Sequence, residues 1–512
     1  MKNASVILYQ FKNFNHNEFL ERYLFAISEH SERVFIPTVP PEDLLKLGHI
    51  TPEEYGDIVT KGEEIKYEHH KSKRGAKNPD IIRCKVQYLQ HIIIRRAHSK
   101  KNLGAFSLNS QMLKAIVGDE YKVLLSILIQ MGFLRLGDGQ DGHLIEKYDL
   151  YRIGKYSMIY SIPEGYEVEI KTSVDSRIRK FIQKETEQLE HYRQKVYEEF
   201  DKKYGYEFRR EYEISLNKVF IENIEGFNSY IKQIVNDNPL SIHYYNYVQE
   251  GLSAKQKYIQ RIDVAGRIYH ILTNTDRNIK KYLNIGISAD CKNSHPVLFN
   301  YFIFQTHGIG IEDAYTISTA MHNIHGHSNI RTSLRPIVPQ RSLDMLSNDE
   351  LNYIYLTSKG QFWDDILCKH PELDRNEVKE KMFAEVFYSN QERTRGWQEF
   401  AKEFRNKYPT VMKAVKSWKQ AENMTKIEEY MNEHGISAEK PTASLSIAMM
   451  NLESRIFTEI LRRLYRKRWR AFHIHDCIIV PKTKSKNQPT RAEVLGIMKD
   501  VYQEFGLVPT FD

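Results

Sequence analysis

The sequence predicts an α+β protein that is mostly helical, and two kinds of pattern predict it. Long stretches step their apolar residues by three and four: Ile178, Ile182, Leu189, Tyr192, Val196 and Phe200 within 176–204, and the run ASLSIAMMNLESRIFTEILRRLYRKR at 443–468. Against these stand short runs rich in β-branched and aromatic residues, Trp469–Ile474 and Cys477–Val480, with His475 and Asp476 between them. Two such runs around a two-residue link read as a tight hairpin. A carboxylate at its tip loses hydration unless something positive meets it. Arg462, Arg463, Arg466, Lys467, Arg468 and Arg470 lie just upstream. Taken alone, the stretch is equally a basic helix end followed by an ordinary hairpin.

A chain of 512 residues has length for roughly two to four domains and a sizeable core. With 41% apolar and 27% charged residues its balance is that of a soluble globular protein. The formal charge of +8, from 74 basic and 66 acidic side chains, suits a nucleic-acid partner without demanding one. Its 32 Tyr and 24 Phe serve base stacking and cores alike. Cys84, Cys291, Cys368 and Cys477 form no C-x-x-C pair, so neither a disulfide framework nor a cysteine zinc site is indicated. No apolar run approaches the roughly 18–20 residues of a membrane span. The opening MKNASVILYQFKNFNHNEF turns polar too soon for a signal peptide. A soluble, cytoplasmic protein is expected.

Residues 1–105 form an N-terminal region whose role the sequence leaves open. Within 106–163, Leu108, Met112 and Ile116 follow a Ser107 cap and stop at Gly118. Leu124, Ile127, Leu128 and Met131 repeat the helical period. GDGQDGHLIEKYDLYRIGKYSMIYSIP then reads as a hairpin around a Gly-Asp turn. Two short helices followed by a hairpin resemble a winged helix-turn-helix, a fold met in plasmid and phage replication proteins. A small subdomain that binds nothing has the same pattern. The 170–250 segment reads as a helical arm, beginning with a single helix over Ser176–Tyr204.

The chemistry collects within 251–512, in four stretches. Asp263-Val264-Ala265-Gly266-Arg267 spells D-x-x-G-R, a glycine that lets backbone come close and a guanidinium fork suited to phosphate. The apolar run Ile285–Ala289 ends at Asp290 before CKNSH; such a carboxylate reads as a helix N-cap or as a metal ligand. Arg375, Lys379, Phe383 and Phe387 fall at four-residue steps, one helical face carrying two cations and two aromatics. That stripe would serve a triphosphate and a base; alternatively, the aromatics are core and the cations snorkel. The fourth stretch is the His475-Asp476 hairpin itself.

Together and in this order the four resemble the family A polymerases, which comprise bacterial DNA polymerase I and the phage-type single-subunit RNA polymerases. The family's first motif, D/T-x-x-G-R, is matched by Asp263–Arg267, and its motif A aspartate by Asp290. Its fingers helix, R-x3-K-x3-aromatic-x3-Tyr, is matched in spacing by Arg375, Lys379, Phe383 and Phe387, with Tyr388 next in line. Its motif C hairpin is matched by His475-Asp476. The resemblance covers about residues 255–512.

What the resemblance implies is a right-hand polymerase fold: palm and fingers within 251–512, a thumb-like arm at 170–250 and an N-terminal accessory region. It implies a template-dependent nucleotidyltransferase with Asp290 and Asp476 holding two Mg²⁺ ions, Cys291 counted with them at the metal site. Arg375 and Lys379 would hold the triphosphate, Lys379 steadying transition-state charge. Phe383, with Phe387 or Tyr388, would stack on the incoming base, and His295 stands where DNA-making members carry a sugar-gating glutamate. Arg267 and His475 would touch the primer or product backbone, Glu453 the duplex minor groove, and Arg463 and Arg466 phosphates. Partners are then a DNA template with a primer or an RNA product, and nucleoside triphosphates.

His295, Cys477 in place of the glutamate that follows His-Asp in DNA-making members, and D-x-x-G-R each lean towards RNA synthesis. The alternatives are a DNA polymerase of a phage, plasmid or mobile element, and a non-catalytic nucleic-acid-binding replication initiator. No proofreading cluster of D-x-E type stands out. His322, His325 and His327 have metal-like spacing but lack a thiol or carboxylate to complete a tetrahedral set.

Overall fold

A computed structural model describes residues 6–29, 78–97, 105–136, 159–162, 166–237, 242–324, 329–387, 398–419, 444–484 and 487–512. The fold is mostly helical with a few small sheets. Among the described residues no helix is long and apolar enough to cross a membrane. The chain divides into two compact units, residues 1–195 with 225–250, and residues 196–224 with 251–512. The 170–250 segment is thus shared between them.

In the first unit β1 (Val6–Phe11) packs on α2 (Pro79–Ala97), and α1 (His16–Glu29) packs on α2 in turn. Two polar residues of α2 are buried because they complete the hydrogen bonding of β1. Gln90 accepts from the Phe11 amide at 3.0 Å and His91 Nδ1 from the Tyr9 amide at 3.2 Å. Next come β2 (Ala105–Ser107), α3 (Ser110–Val117), α4 (Tyr121–Gln130), β3 (Arg135–Leu136) and β4 (Ile159–Ser161). The three strands form an antiparallel sheet in the order β2-β4-β3. Ser107 belongs to β2, and the cap of α3 is Asn109, whose side chain accepts from Met112 at 2.9 Å. Gly118 ends α3 at φ 93°. The tip of the hairpin lies outside the described residues. β5 (Val168–Ser173) pairs antiparallel with β1, and α5 follows over Ser176–Tyr204, the span its periodicity predicts. Ile178 and Phe200 on its seam are fully buried, whereas Leu189 and Tyr192 near its middle are about half exposed. Of the helices that continue the aromatic-rich segment, α6 (Tyr206–Leu216) belongs to the second unit, whereas α7 (Ile224–Asp237) and α8 (Ile242–Ser253) fall mostly in the first.

The second unit is built on a small antiparallel sheet in the order β8-β10-β9, with β8 Ile285–Asp290, β9 Phe472–Ile474 and β10 Cys477–Pro481. Before it stands the hairpin of β6 (Ile259–Ile262) and β7 (Ile268–His270). Its D-x-x-G-R turn closes on itself, the Asp263 carboxylate accepting from the Arg267 amide at 2.8 Å. Gly266 sits at φ 90° with its carbonyl accepting from Tyr204 and Ser454, each at 2.6 Å, so a side chain there would be both strained and crowded.

Helices α9 (Ser294–Thr306), α10 (Ile311–Asn323), α11 (Ile330–Leu334), α12 (Gln340–Met345), α13 (Asn348–Ser358) and α14 (Phe362–Leu367) come next. The N-cap of α9 is Asn293, which removes the capping role open to Asp290. Then follow α15 (Arg375–Met382), a π-helical turn (Phe383–Phe387), α16 (Gln398–Lys407) and α17 (Pro409–Ser417). The long α18 (Ser444–Arg466) packs on α9 and on the final helix, α19 (Arg491–Gln503), which covers β8. Leu445, Ala448, Leu452, Ile456, Ile460 and Leu464 step along the buried face of α18 at helical spacing.

Beneath the hairpin, His270 and His473 are buried and neutral; burial pushes their pKa values down to about 4 and about 3. His270 Nδ1 accepts from the Leu272 amide, so Nε2 carries the proton and donates to the His473 carbonyl at 3.1 Å.

At the other end of the sheet Asn284 joins three segments. Its side chain accepts from the Phe220 amide at 2.8 Å and donates to the carbonyls of Lys218 at 2.9 Å and Lys482 at 3.2 Å. Its carbonyl accepts from the Lys482 amide at 2.7 Å. Asn284→Ala leaves three backbone groups without that partner and is expected to destabilise this unit by about 2–4 kcal/mol. A denaturant midpoint that corresponds to less than about 0.5 kcal/mol of loss would contradict this role.

Candidate active site

The His475-Asp476 link is made possible by backbone geometry. Ile474 pairs with Cys477, leaving two residues to turn the chain, and His475 takes φ 54°. His is among the few non-glycine residues that tolerate that region, at some cost in strain. On the other side of β10, Cys477 pairs with Asp290, the last residue of β8. Asp290 and Asp476 therefore reach the same end of one sheet. Both are partly exposed, and neither forms an ion pair among the described residues.

Their electrostatics are those of two carboxylates sharing one place. Burial pushes the pKa of Asp476 up to about 8, with the charges of Glu453 and Asp290 adding to it. Asp290 is raised too, first by burial; Asp512 adds to the shift, while Lys280 and Lys379 oppose it. A divalent cation is the partner that relieves such a pair. Among the described residues no group of three or more His, Cys, Asp or Glu gathers as a metal cluster. The protein would thus supply two carboxylates, leaving other positions to water and phosphate oxygens, an arrangement that fits Mg²⁺. Cys291 can add only its backbone. Burial keeps its thiol protonated well above the ordinary range, and its amide donates to the Asp476 carbonyl at 3.3 Å.

Next to the pair stands a third carboxylate with the opposite treatment. Glu453 is 2% exposed. Its oxygens meet Arg267 Nη2 at 2.5 Å, His295 Nε2 at 3.3 Å and Ser294 Oγ at 3.2 Å. Burial pushes its pKa up, but Arg267 and His295 outweigh that and hold it well below the usual carboxylate range. The expected minor-groove contact is corrected here: Glu453 is enclosed and serves as the anchor for Arg267 and His295. Arg267 Nη2 also lies 2.8 Å from His295 Nε2.

The helix α15 begins with Asp374 in a reciprocal capping box with Glu377. Arg375 leads it and pairs with Asp364 at 3.2 Å on the surface. One turn on, Lys379 sits 5.9 Å from the Trp363 ring centroid. Burial and the nearby Arg375 lower its pKa, whereas Asp476 and Asp290 pull it back up, so its charge acts on both carboxylates. Phe383 stands edge-on to both His295 and Trp363, with ring centroids 5.4 Å and 5.6 Å away. Phe387 departs from the expected stripe. The α pitch gives way to a π turn after Met382, and Phe387 is fully buried against Phe299 and Phe404. It is core, which corrects its expected contact with a nucleotide. Tyr388 lies outside the described residues.

Two members of the basic cluster are held in close ion pairs. Arg463 binds Glu504 at 2.5 Å and Glu459 at 3.1 Å, and Arg470 binds Glu211. Arg466 keeps 73% of its side chain exposed, with Glu459 at 3.9 Å its ion-pair partner among the described residues. It is the better placed of the expected pair to meet phosphate. His475 is exposed, with its ring 6.3 Å from that of Tyr269. His322 Nδ1 lies 3.2 Å from the Ser358 carbonyl oxygen; His325 and His327 lie outside the described residues. Lys280, which the motifs do not mark, acts on Asp290 from a 3₁₀ turn (Arg277–Tyr282). No spacing rule reaches it, because that turn folds it back.

The raised pKa of Asp476 fixes a sign. Folding favours its protonated form, so stability is intact below the ordinary carboxylate pKa near 4 and is lost as pH rises towards 8. Asp476→Asn should therefore raise the unfolding midpoint in chelator, by a margin that widens from pH 5 to pH 8 and narrows when Mg²⁺ is added to both proteins. A margin independent of pH would contradict the electrostatics described. No family model and no curated protein matches this chain, so the chemistry of these residues carries the functional reading.

Proposed function

We propose that this chain is a template-dependent nucleotidyltransferase of right-hand polymerase type, which adds nucleotides to a 3′ end and favours RNA as its product. The observation that carries the reading is the meeting of Asp290 and Asp476 at one sheet end, within electrostatic reach of Lys379. In this reading β8-β10-β9 is the palm, the helices around α15 are the fingers, and the 170–250 helices are a thumb-like arm.

Two Mg²⁺ ions held by Asp290 and Asp476 would supply activation of the terminal 3′-hydroxyl and neutralisation of the triphosphate and leaving pyrophosphate. The oxygen–phosphorus bond forms at the α-phosphate as the bond to the β-phosphate breaks. Lys379, half desolvated, faces the charge that develops there. Arg375 shares a surface ion pair with Asp364, of the kind worth no more than about 1 kcal/mol, so a triphosphate can draw it away. Phe383 offers an aromatic edge beside His295, and Arg267 and Glu453 hold His295, the residue this reading assigns to the sugar. With no carboxylate at His295 or at Cys477, whose thiol lies 3.1 Å from Ser288 Oγ, the site lacks the groups that DNA-making members of the resembling family place there.

A second reading, a nucleic-acid-binding initiator with no catalysis, draws on α3, α4 and the antiparallel β3–β4 pair of the first unit. Primed and unprimed DNA templates with Mg²⁺ and either rNTPs or dNTPs separate the readings. Extension should be found with rNTPs, fall at least about 10³-fold in Asp290→Asn and Asp476→Asn, and fall about 10²–10³-fold in Lys379→Ala. Extension with dNTPs alone would reverse the product, and DNA binding without any extension would favour the initiator.

A further inference from the structure

The far end of β10 from Asp476 opens into a cavity of about 800 Å³. Its walls come from the chain after α6, the Arg468–Arg470 link, the end of β10 and the segment that follows it; Asn284 ties the first of these to Lys482. Lys218, Arg468, Arg470, Lys482 and Lys484 line it, against one acid, Glu222. Glu222 is used by Lys482 at 2.7 Å, and Arg470 by Glu211. Lys218, Arg468 and Lys484 are exposed and have no side-chain partner among the described residues. Arg468 is held at φ 61°, so the backbone presents it there at a cost in strain. Phe220, 53% exposed, adds an aromatic face to the same cavity.

Scattered surface lysines ordinarily lie over water or beside acids. Here three unpaired cations and an exposed ring share one preorganised concavity with amides of Asn487 and Gln488. We propose that this cavity is a second nucleic-acid-type site, taking a phosphate-bearing nucleotide unit with the phosphate on Lys218, Arg468 and Lys484 and the base on Phe220. The unit can belong to a single strand or be a free nucleotide; the two share this chemistry. The site lies roughly 15 Å along β10 from the carboxylate pair, at about 3.3 Å per residue, and does not depend on the chemistry proposed for Asp290 and Asp476.

The test uses the full chain carrying Asp476→Asn, fluorescein-labelled oligo-dT as the strand probe and a fluorescent ATP analogue as the nucleotide probe, each measured by anisotropy. Adding Lys218→Glu with Lys484→Glu should weaken strand binding at least tenfold and lower the slope of log affinity against log salt by about 0.7, the share of the one phosphate held there. Phe220→Ala should weaken binding without changing that slope. Lys218→Arg with Lys484→Arg should bind like the parent, which separates charge from folding. A loss confined to the ATP analogue assigns the site to free nucleotide. Unchanged affinity for both probes in the Glu double variant, or loss equalled by the Arg double variant, would overturn the proposal.

Discussion

The antiparallel register of β8 on β10 is the constraint on which the candidate site depends. Cys477 opposite Asp290 brings two carboxylates, 186 residues apart in sequence, to one end of a three-stranded sheet. Side chains alternate along a strand, so a one-residue slip would exchange the residues that β10 packs on its two faces. Burial of all five residues of β10 therefore holds the register, and the register holds the carboxylates together. The core favours a pairing that the charges alone would oppose.

Three acids crowd this end, and the fold treats them in two ways. Glu453 receives Arg267 and His295 and stays ionised although enclosed. Among the described residues Asp290 and Asp476 receive no such partner, and they are pushed towards their protonated forms. Environments that drive neighbouring titratable groups apart mark sites of chemistry more often than sites of stability. Arg267 also explains why D-x-x-G-R matters here. Gly266 lets the turn dock on Tyr204 and Ser454, and the docked turn aims Arg267 at Glu453.

Much of this was legible in the sequence where it rested on local patterns. The Ser176–Tyr204 helix and the His475-Asp476 hairpin follow from periodicity and from strand-forming residues around a short link. The stripe Arg375–Lys379–Phe383 follows from four-residue spacing, and Phe387 escapes it because one π turn changes the pitch, which no residue in FAEVF announces. Glu453 and Arg463 read as contacts for a nucleic acid because sequence reveals charge but not its partners; Ser294, His295 and Glu504 arrive from other elements. Lys280 and the basic cavity stayed hidden for the same reason, since tertiary folding alone collects them.

The two ends of β10 carry opposite charge, and the distance between them decides whether one can relieve the other. At roughly 15 Å the separation exceeds the Debye length of about 8 Å at physiological salt, so exposed cations of the basic cavity are largely screened from the carboxylate end. The cations that do act on Asp290 are the nearer Lys280 and Lys379, and they leave it raised. Arg267 offsets little of the shift at Asp476, because its charge is already matched by Glu453. The residual repulsion is thus one that the described side chains do not discharge, and at neutral pH it is relieved by the proton that Asp476 retains.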